Sequence, residues 1–196
     1  LSAKKNFVVR SGSVWLGEYA YVETGSDCVV EGSLYLRYFL RTSPYSIHDT
    51  VRMSIGNDLK LLGCNISMFY DGRIEVGGDI IQSDEYKESY VGVYRYFGFI
   101  MNGKKEQKIF LPHISGTIGT VDIRESKGVQ LQTKLEGERL CGIEKLKAVD
   151  GTIYSDFFTN ELGKDGVLDG NLECAAGGIT LHNKSLTIKG NFRQNY

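Results

Sequence analysis

The residues able to do chemistry are few and scattered. His48, His113 and His182 have no Asp, Glu or Ser at a spacing that suggests catalysis, and no G-x-S-x-G elbow is present. Histidines placed like this read as surface or packing residues. Cys28, Cys64, Cys141 and Cys174 form no C-x-x-C pair, which removes the zinc and thioredoxin-type readings. Their strand-like contexts suggest buried thiols filling apolar space, with one or two disulfides between stacked strands as the alternative. Asp165-Gly166 and Asp169-Gly170 superficially suggest a calcium loop, but no downstream Glu stands where a bidentate ligand is needed, so they read as turns. No metal or cofactor is expected.

Two other groups bear on function. Asp71, Glu75, Asp79, Asp122 and Glu136 would project from neighbouring strands, and glycoside hydrolysis needs two carboxylates facing each other across a sugar. Nothing in their spacing singles out a pair. Tyr86, Tyr90, Tyr94 and Tyr96 are concentrated beside Phe97 and Phe99. On a rigid sheet such tyrosines would stack on sugar rings or anchor a protein partner; the plainer alternative is that they pack beneath a local excursion. They are the candidate ligand-binding residues.

The elements that would position these groups are short strands. The last thirty residues, Asp165 to Gln194, contain one small unit twice: apolar, any, apolar, any, Gly, Asn or a relative, apolar. Leu186, Ile188, Gly190, Asn191 and Phe192 fill it once, and Val167, Gly170, Asn171 and Leu172 fill it more loosely. Alternation makes a strand with one buried face. Gly followed by Asn or Asp tolerates positive φ, so Gly78, Asp79, Gly170, Asn171, Gly190 and Asn191 are expected to turn the chain. The segment GRIEVGGDIIQ, 72–82, matches KSLTIKGNFRQ, 184–194, at every patterned position, including the closing Gln82 and Gln194. Ile74, Val76, Ile80, Leu186, Ile188 and Phe192 are then expected to be buried, and Glu75 and Thr187 exposed.

The glycines Gly32, Gly56, Gly78, Gly116, Gly137, Gly170 and Gly190 stand 24, 22, 38, 21, 33 and 20 residues apart. Four gaps of 20 to 24 suit the coil of a solenoid. The pattern breaks near 41–50, 83–105 and 143–164, which read as excursions from the stack. Within 83–105, Asn102-Gly103 reads as a type I′ hairpin turn leading to a strand from Gln107. Helical periodicity is absent except for a weak candidate at 142–149. The expected fold is all-β: a right-handed parallel β-helix with lateral insertions, forming one β-rich domain over 1–196. An antiparallel sandwich or jelly roll is the alternative, since it explains the strand lengths equally well.

The bulk composition agrees. Of 196 residues 41% are hydrophobic and 24% charged, and 24 glycines against 2 prolines favour many tight turns over a linker. A net charge of −1 gives no reason to expect nucleic acid, and no apolar run approaches the ~18 residues of a membrane span. The chain does not begin with Met and has no signal peptide, so it reads as a processed product or an excerpt of a longer protein.

The segments GRIEVGGDIIQ and GNLECAAGGITLHNKSLTIKGNFRQ resemble the degenerate Gly-Asn repeats of bacterial surface proteins of the filamentous-haemagglutinin or adhesin type, over residues 50–82 and 114–194. The resemblance implies a right-handed β-helix, an extracellular or cell-surface rod, and no catalytic residues to carry over. The expected function is a non-enzymatic structural or adhesion module of a bacterial surface or secreted protein. The alternative is a carbohydrate-binding or carbohydrate-active β-protein. The GNFRQNY end does not read as a cap, so further coils or a partner chain are expected at the C-terminal edge.

Overall fold

A computed structural model describes residues 1–10, 13–16, 21–30, 33–37, 51–62, 66–69, 72–84, 91–93, 97–175 and 177–195. Every strand pairing among them is parallel, which excludes the antiparallel sandwich. The chain visits three faces in rotation and stacks each strand on the one from the previous coil, making a parallel β-helix.

The first face carries Ser2–Ala3, Tyr21–Thr24, Val51–Ile55, Gly72–Val76, Phe97–Met101, Ile118–Asp122, Glu136–Cys141, the second half of Thr152–Glu161, and Gly178–Thr180. The second carries Phe7–Val9, Cys28–Val30, Leu59–Leu61, Ile80–Gln82, Gln107–Phe110, Val129–Leu131 and Leu146–Lys147, followed after a break in pairing by Gly166–Leu168 and Leu186–Ile188. The third carries Ser13–Leu16, Ser33–Arg37, Ile66–Phe69, Val91–Val93 and Ile114–Gly116. It resumes with the first half of Thr152–Glu161, then Asn171–Cys174 and Phe192–Gln194.

Parallel stacking turns strand alternation into continuous columns, because register places like residues over like. On the first face Val22, Met53, Ile74, Phe99, Val121 and Leu140 form one inward column and are buried. Cys28, Leu59, Ile80 and Ile109 form the matching column on the second face. Asn160 continues the first column at full burial and is satisfied internally: its Oδ1 accepts Ser155 Oγ at 2.7 Å, and its Nδ2 donates to the carbonyls of Phe157 at 3.2 Å and Gly178 at 3.3 Å.

Several sequence expectations need correction. The matched segments 72–82 and 184–194 do not occupy equivalent places. Ile74 lies on the first face and Ile80 on the second, whereas Leu186 lies on the second and Phe192 on the third. The unit describes any corner, not one particular corner. Phe192 stacks over the buried Leu172, yet is 48% exposed because no coil covers it. Leu186 and Ile188 are half-buried for the same reason, while Ile74, Val76 and Ile80 are buried and Thr187 is exposed, as expected; Glu75, expected to be exposed, is half-buried beside Arg73.

The excursions shrink. Val91–Val93 and Phe97–Met101 are rungs of the stack, and so are Leu146–Lys147 and Thr152–Glu161. Asn102-Gly103 is a corner and not a hairpin turn, since Gln107–Phe110 pairs in parallel with Ile80–Gln82 and Val129–Leu131. Gly116 and Gly137 lie within strands. A Cβ on Gly137 would run into the Phe157 ring on the next coil, so this glycine makes room for a large neighbour. The weak helix candidate is a single 3₁₀ turn, Ile143–Lys145. The segment 41–50 lies outside the described residues.

Candidate functional site

The corners come first, because the candidate turn residues lie there. Positive φ among glycines is found at Gly142, Gly151 and Gly170, at 93°, 86° and 125°. Gly170 thus turns the chain as expected, but Gly78, Asp79, Asn171, Gly190 and Asn191 do not take positive φ, and Asn171 opens the strand Asn171–Cys174. Their glycines serve close stacking. A Cβ on Gly78 would lie 2.7 Å from the backbone carbon of Asn57, and one on Gly190 would lie 2.5 Å from Asn171 Oδ1. Both positions sit directly against the preceding coil's corner, where side chains have no room.

An Asx residue at each of these corners supplies an acceptor for the next coil. Asp27 Oδ1 accepts Asn57 Nδ2 at 2.7 Å and the Asp58 amide at 3.3 Å. Asp58 Oδ1 accepts the Asp79 amide at 2.9 Å, and Asp79 Oδ1 the Lys108 amide at 2.8 Å. Asn171 Oδ1 repeats this with the Asn191 amide at 2.8 Å, and Asp165 Oδ1 with the Ser185 amide at 2.7 Å. Burial works to raise the Asp27 carboxyl, but the hydrogen bonds from Lys60, Asp58 and Asn57 outweigh it and hold it below its ordinary value. The closing glutamines also have a use. Gln82 exchanges hydrogen bonds with the backbone of His113 at 3.0 and 3.3 Å, and Gln194 Nε2 donates to the Gly177 carbonyl at 2.9 Å.

A group of potentially reactive side chains lies at the end of the first face. Asp122, Cys141, Glu161 and Thr180 share one register row, so three potentially reactive groups are stacked on successive coils. Arg124 holds Asp122 through Nε at 3.0 Å and Nη2 at 2.6 Å. Arg139 holds Glu161 in the same two-pronged way, at 2.6 and 2.7 Å. His182 Nε2 stands 3.6 Å from Glu161 Oε2, and the buried Cys141 Sγ lies 4.0 Å from the same oxygen. Among the described residues His182 and Asn183 are the non-glycine residues at positive φ, 47° and 63°, in a tight turn closed by the Lys184 amide on the Leu181 carbonyl at 2.9 Å.

Electrostatics determines what this cluster can do. Arg139's hydrogen bonds lower the Glu161 carboxyl against the opposing effect of burial. For Asp122 burial is the largest influence and raises it, but the combined pull of Arg124 prevails and the net shift is downward. Burial raises the Cys141 thiol, and the negative charges of Asp122 and Glu161 add to this against Arg139 and Arg124. Cys174 is pushed up to about 11 by burial. Both thiols therefore stay protonated at neutral pH, which makes them poor nucleophiles. The two carboxylates stay ionised, which makes them poor general acids.

Other positions were not legible from spacing. Glu144 is 8% exposed; its Oε2 accepts the Gly163 amide at 3.0 Å while Oε1 is buried without a partner. It lines an open groove with Lys127, Lys145, Lys147 and Lys164, where Glu125, Asp165 and Asp169 balance the cations. Lys145 is committed to the carbonyls of Arg124 and Ser126. Tyr154 and Phe158 are exposed on the outer side of the longest described strand. Of the carboxylates weighed for hydrolysis, Glu75 pairs with Arg73 at 3.0 Å and Asp79 serves its corner. Tyr86, Tyr90, Tyr94 and Tyr96 lie outside the described residues. Among those described, no three His, Cys, Asp or Glu side chains converge on a metal position. Comparison with protein-family models, with curated proteins and with solved structures returned no match in any of the three.

Proposed function

We propose that this chain is a non-catalytic solenoid module, a structural or adhesion segment of a bacterial surface or secreted protein. One observation carries the reading. The displaced carboxylates, Asp27, Asp122, Glu161 and Asp165, are all displaced downward by hydrogen-bonding partners. Cys141 and Cys174 are displaced upward by burial. Catalysis by carboxylates calls for an acid with a raised pKa, and catalysis by thiols for a lowered one. The displacements here run the other way: those of Asp27, Glu161 and Asp165 come from partners on a neighbouring coil, and that of Asp122 mainly from Arg124 on its own coil. The likeness to Gly-Asn repeat adhesins supports the surface placement.

In this reading the edge of the last coil meets further coils or a partner chain. Gly178–Thr180, Leu186–Ile188 and Phe192–Gln194 each pair on one side among the described residues, leaving strand edges open. A second copy stacked head to tail is disfavoured by charge. Residues 1–10 carry Lys4, Lys5 and Arg10, residues 178–195 carry Lys184, Lys189 and Arg193, and neither segment has an acidic residue. Incubating the purified chain with a panel of plant and bacterial polysaccharides tests the non-catalytic reading. Polymer length and reducing ends are expected to stay unchanged, and hydrolysis or elimination of any of them would overturn it.

A further inference from the structure

We propose that the open edge of the last coil is a docking surface for the first coil of a parallel β-helix on a different chain, one that carries Asp or Glu at two of its corners. The inference rests on the reading of that edge as an assembly surface. The Ser185 carbonyl and Lys189 amide are spent on the coil beneath, as are the Asn191 carbonyl and Asn195 amide. Alternation along a strand then leaves the N–H and C=O groups of Leu186, Ile188, Phe192 and Gln194 on the open side. Apolar surface lies on the same edge: Leu186 and Ile188 are half-buried, and Leu181 and Phe192 are exposed. Asn191 donates its amide to Asn171 Oδ1 at 2.8 Å and carries the same side-chain acceptor for a coil that follows. Backbone groups, apolar contact and a corner acceptor are what each coil of this stack takes from the one before. The surface therefore fits a strand edge and not a loose polymer.

Geometry would let a second copy fill this edge, but charge opposes it. Ser2–Ala3, Phe7–Val9 and Ser13–Leu16 visit the three faces in the same order as Gly178–Thr180, Leu186–Ile188 and Phe192–Gln194. Each of the first three also pairs on one side only among the described residues. Stacked head to tail, Lys4 and Lys5 would meet Lys184 in the corner between the first two faces. Arg10 would meet Lys189 in the corner between the second and third. The acids facing the last coil do not reverse this. Glu161 stands 3.6 Å from His182, Asp169 3.6 Å from Lys189, Asp165 holds the Ser185 amide, and Glu173 reaches Arg193 through Asn195. All four lie on the coil beneath, together with Lys164. An incoming coil would stand two strand spacings from them, about 10 Å and on the order of a Debye length at physiological salt, but one spacing from Lys184, Lys189 and Arg193. Behind the first coil Glu23 and Asp27 are likewise one coil deeper, and Lys60 holds Asp27 at 2.6 Å. Strand edge and apolar surface supply affinity, and acidic corners on the partner supply selection.

A copy of this chain with an acidic first coil is the probe: Lys4→Glu, Lys5→Glu and Arg10→Glu together. Sedimentation velocity at low ionic strength reads the outcome. The parent is expected to stay monomeric, and the triple variant to associate with itself at least tenfold more tightly. Adding Lys184→Gln, Lys189→Gln and Arg193→Gln to that variant, or raising the salt, should return it to monomer. Lys4, Lys5 and Arg10 are exposed, so thermal unfolding should match the parent; if the triple variant unfolds, Lys5→Glu with Arg10→Glu takes its place. Equal self-association of parent and variant, or association that the Gln changes leave intact, would overturn the proposal. No association of the variant would also overturn it and leave the edge to a further coil of the same chain. So would equal binding of polyglutamate and of the variant to the parent, since an unstructured polyanion offers charge without a strand edge. Cleavage of a polysaccharide would overturn the non-catalytic reading and leave these outcomes unchanged.

Discussion

The corner at Gly77-Gly78-Asp79 and the corner at Gly190-Asn191 share a sequence unit, yet they differ in position and in depth. The first joins the first face to the second in mid-stack, between coils on both sides; the last joins the second face to the third with a coil on one side only. The apolar residues around the first, Ile74, Val76 and Ile80, are buried, whereas those around the last are half-buried or exposed. Two identical local patterns thus acquire different energetic weight from their neighbours. The unit specifies a bend with clearance and an acceptor. The stack determines how much water is excluded there.

The comparison can be broken most forcefully at the core. Ile74→Ala in the middle of the first-face column should lower unfolding free energy by ~2–5 kcal/mol in urea titration, and Ile188→Ala in the last coil by clearly less. Equal losses would mean that the last coil is as well packed as the middle. The glycines come next. Gly78→Val should cost ~1–3 kcal/mol by overpacking against the Asn57 corner. Gly151→Ala isolates the other reason for a glycine, since its φ is 86° and nothing lies within 4 Å of an added Cβ; about 1 kcal/mol is expected there. A larger loss at Gly151 than at Gly78 would restore backbone conformation as the reason for the unit.

Acid separates the first-face cluster from both corners. Asp122 and Glu161 have folded values below their unfolded ones. The unfolded chain therefore binds more protons as pH falls, so their stabilisation is present above the ordinary carboxylate range, about pH 4, and disappears as pH drops through the folded values. Arg139→Met should flatten the acid limb of a stability–pH profile below about pH 4. An unchanged limb would mean that the pair does not couple coils. The smallest effect belongs to the acceptors. Asp58→Ala should cost ~1 kcal/mol by stranding the Asp79 amide, and Asp58→Asn much less, because an amide oxygen still accepts. Asn171→Ala, whose partner Asn191 is exposed to water, should fall below Asp58→Ala.

Much of the architecture was legible in the sequence because its causes are local. Alternation of apolar and polar residues sets which side of a strand is buried, and this holds at Ile74, Glu75 and Val76 whatever lies beyond the coil. Gaps of 20 to 24 between glycines pointed to a repeating circuit of that order, although the circuits observed in register include one of 17 residues, Val129 to Leu146, and one of 31, Val22 to Met53. The Asx residues after Gly78, Gly170 and Gly190 marked corners correctly, although the physical role of the glycine at 78 and 190 was clearance and not left-handed backbone. Clearance depends on a neighbour one coil away, about 20 positions along the chain, and no local pattern records it. The same distance explains why Phe97–Met101 and Thr152–Glu161 read as departures from the repeat. Each fits a column only once Ile74 or Gly137 stands beside it.

The grouping of reactive residues was a matter for the tertiary structure alone. Asp122, Cys141 and Glu161 are unremarkable in sequence, and parallel stacking brings them into one row with Arg139 and Arg124 as their partners. Charge pairing, across coils for Glu161 with Arg139 and within one coil for Asp122 with Arg124, then determines which groups stay ionised, because a carboxylate's pKa follows its neighbours and its burial.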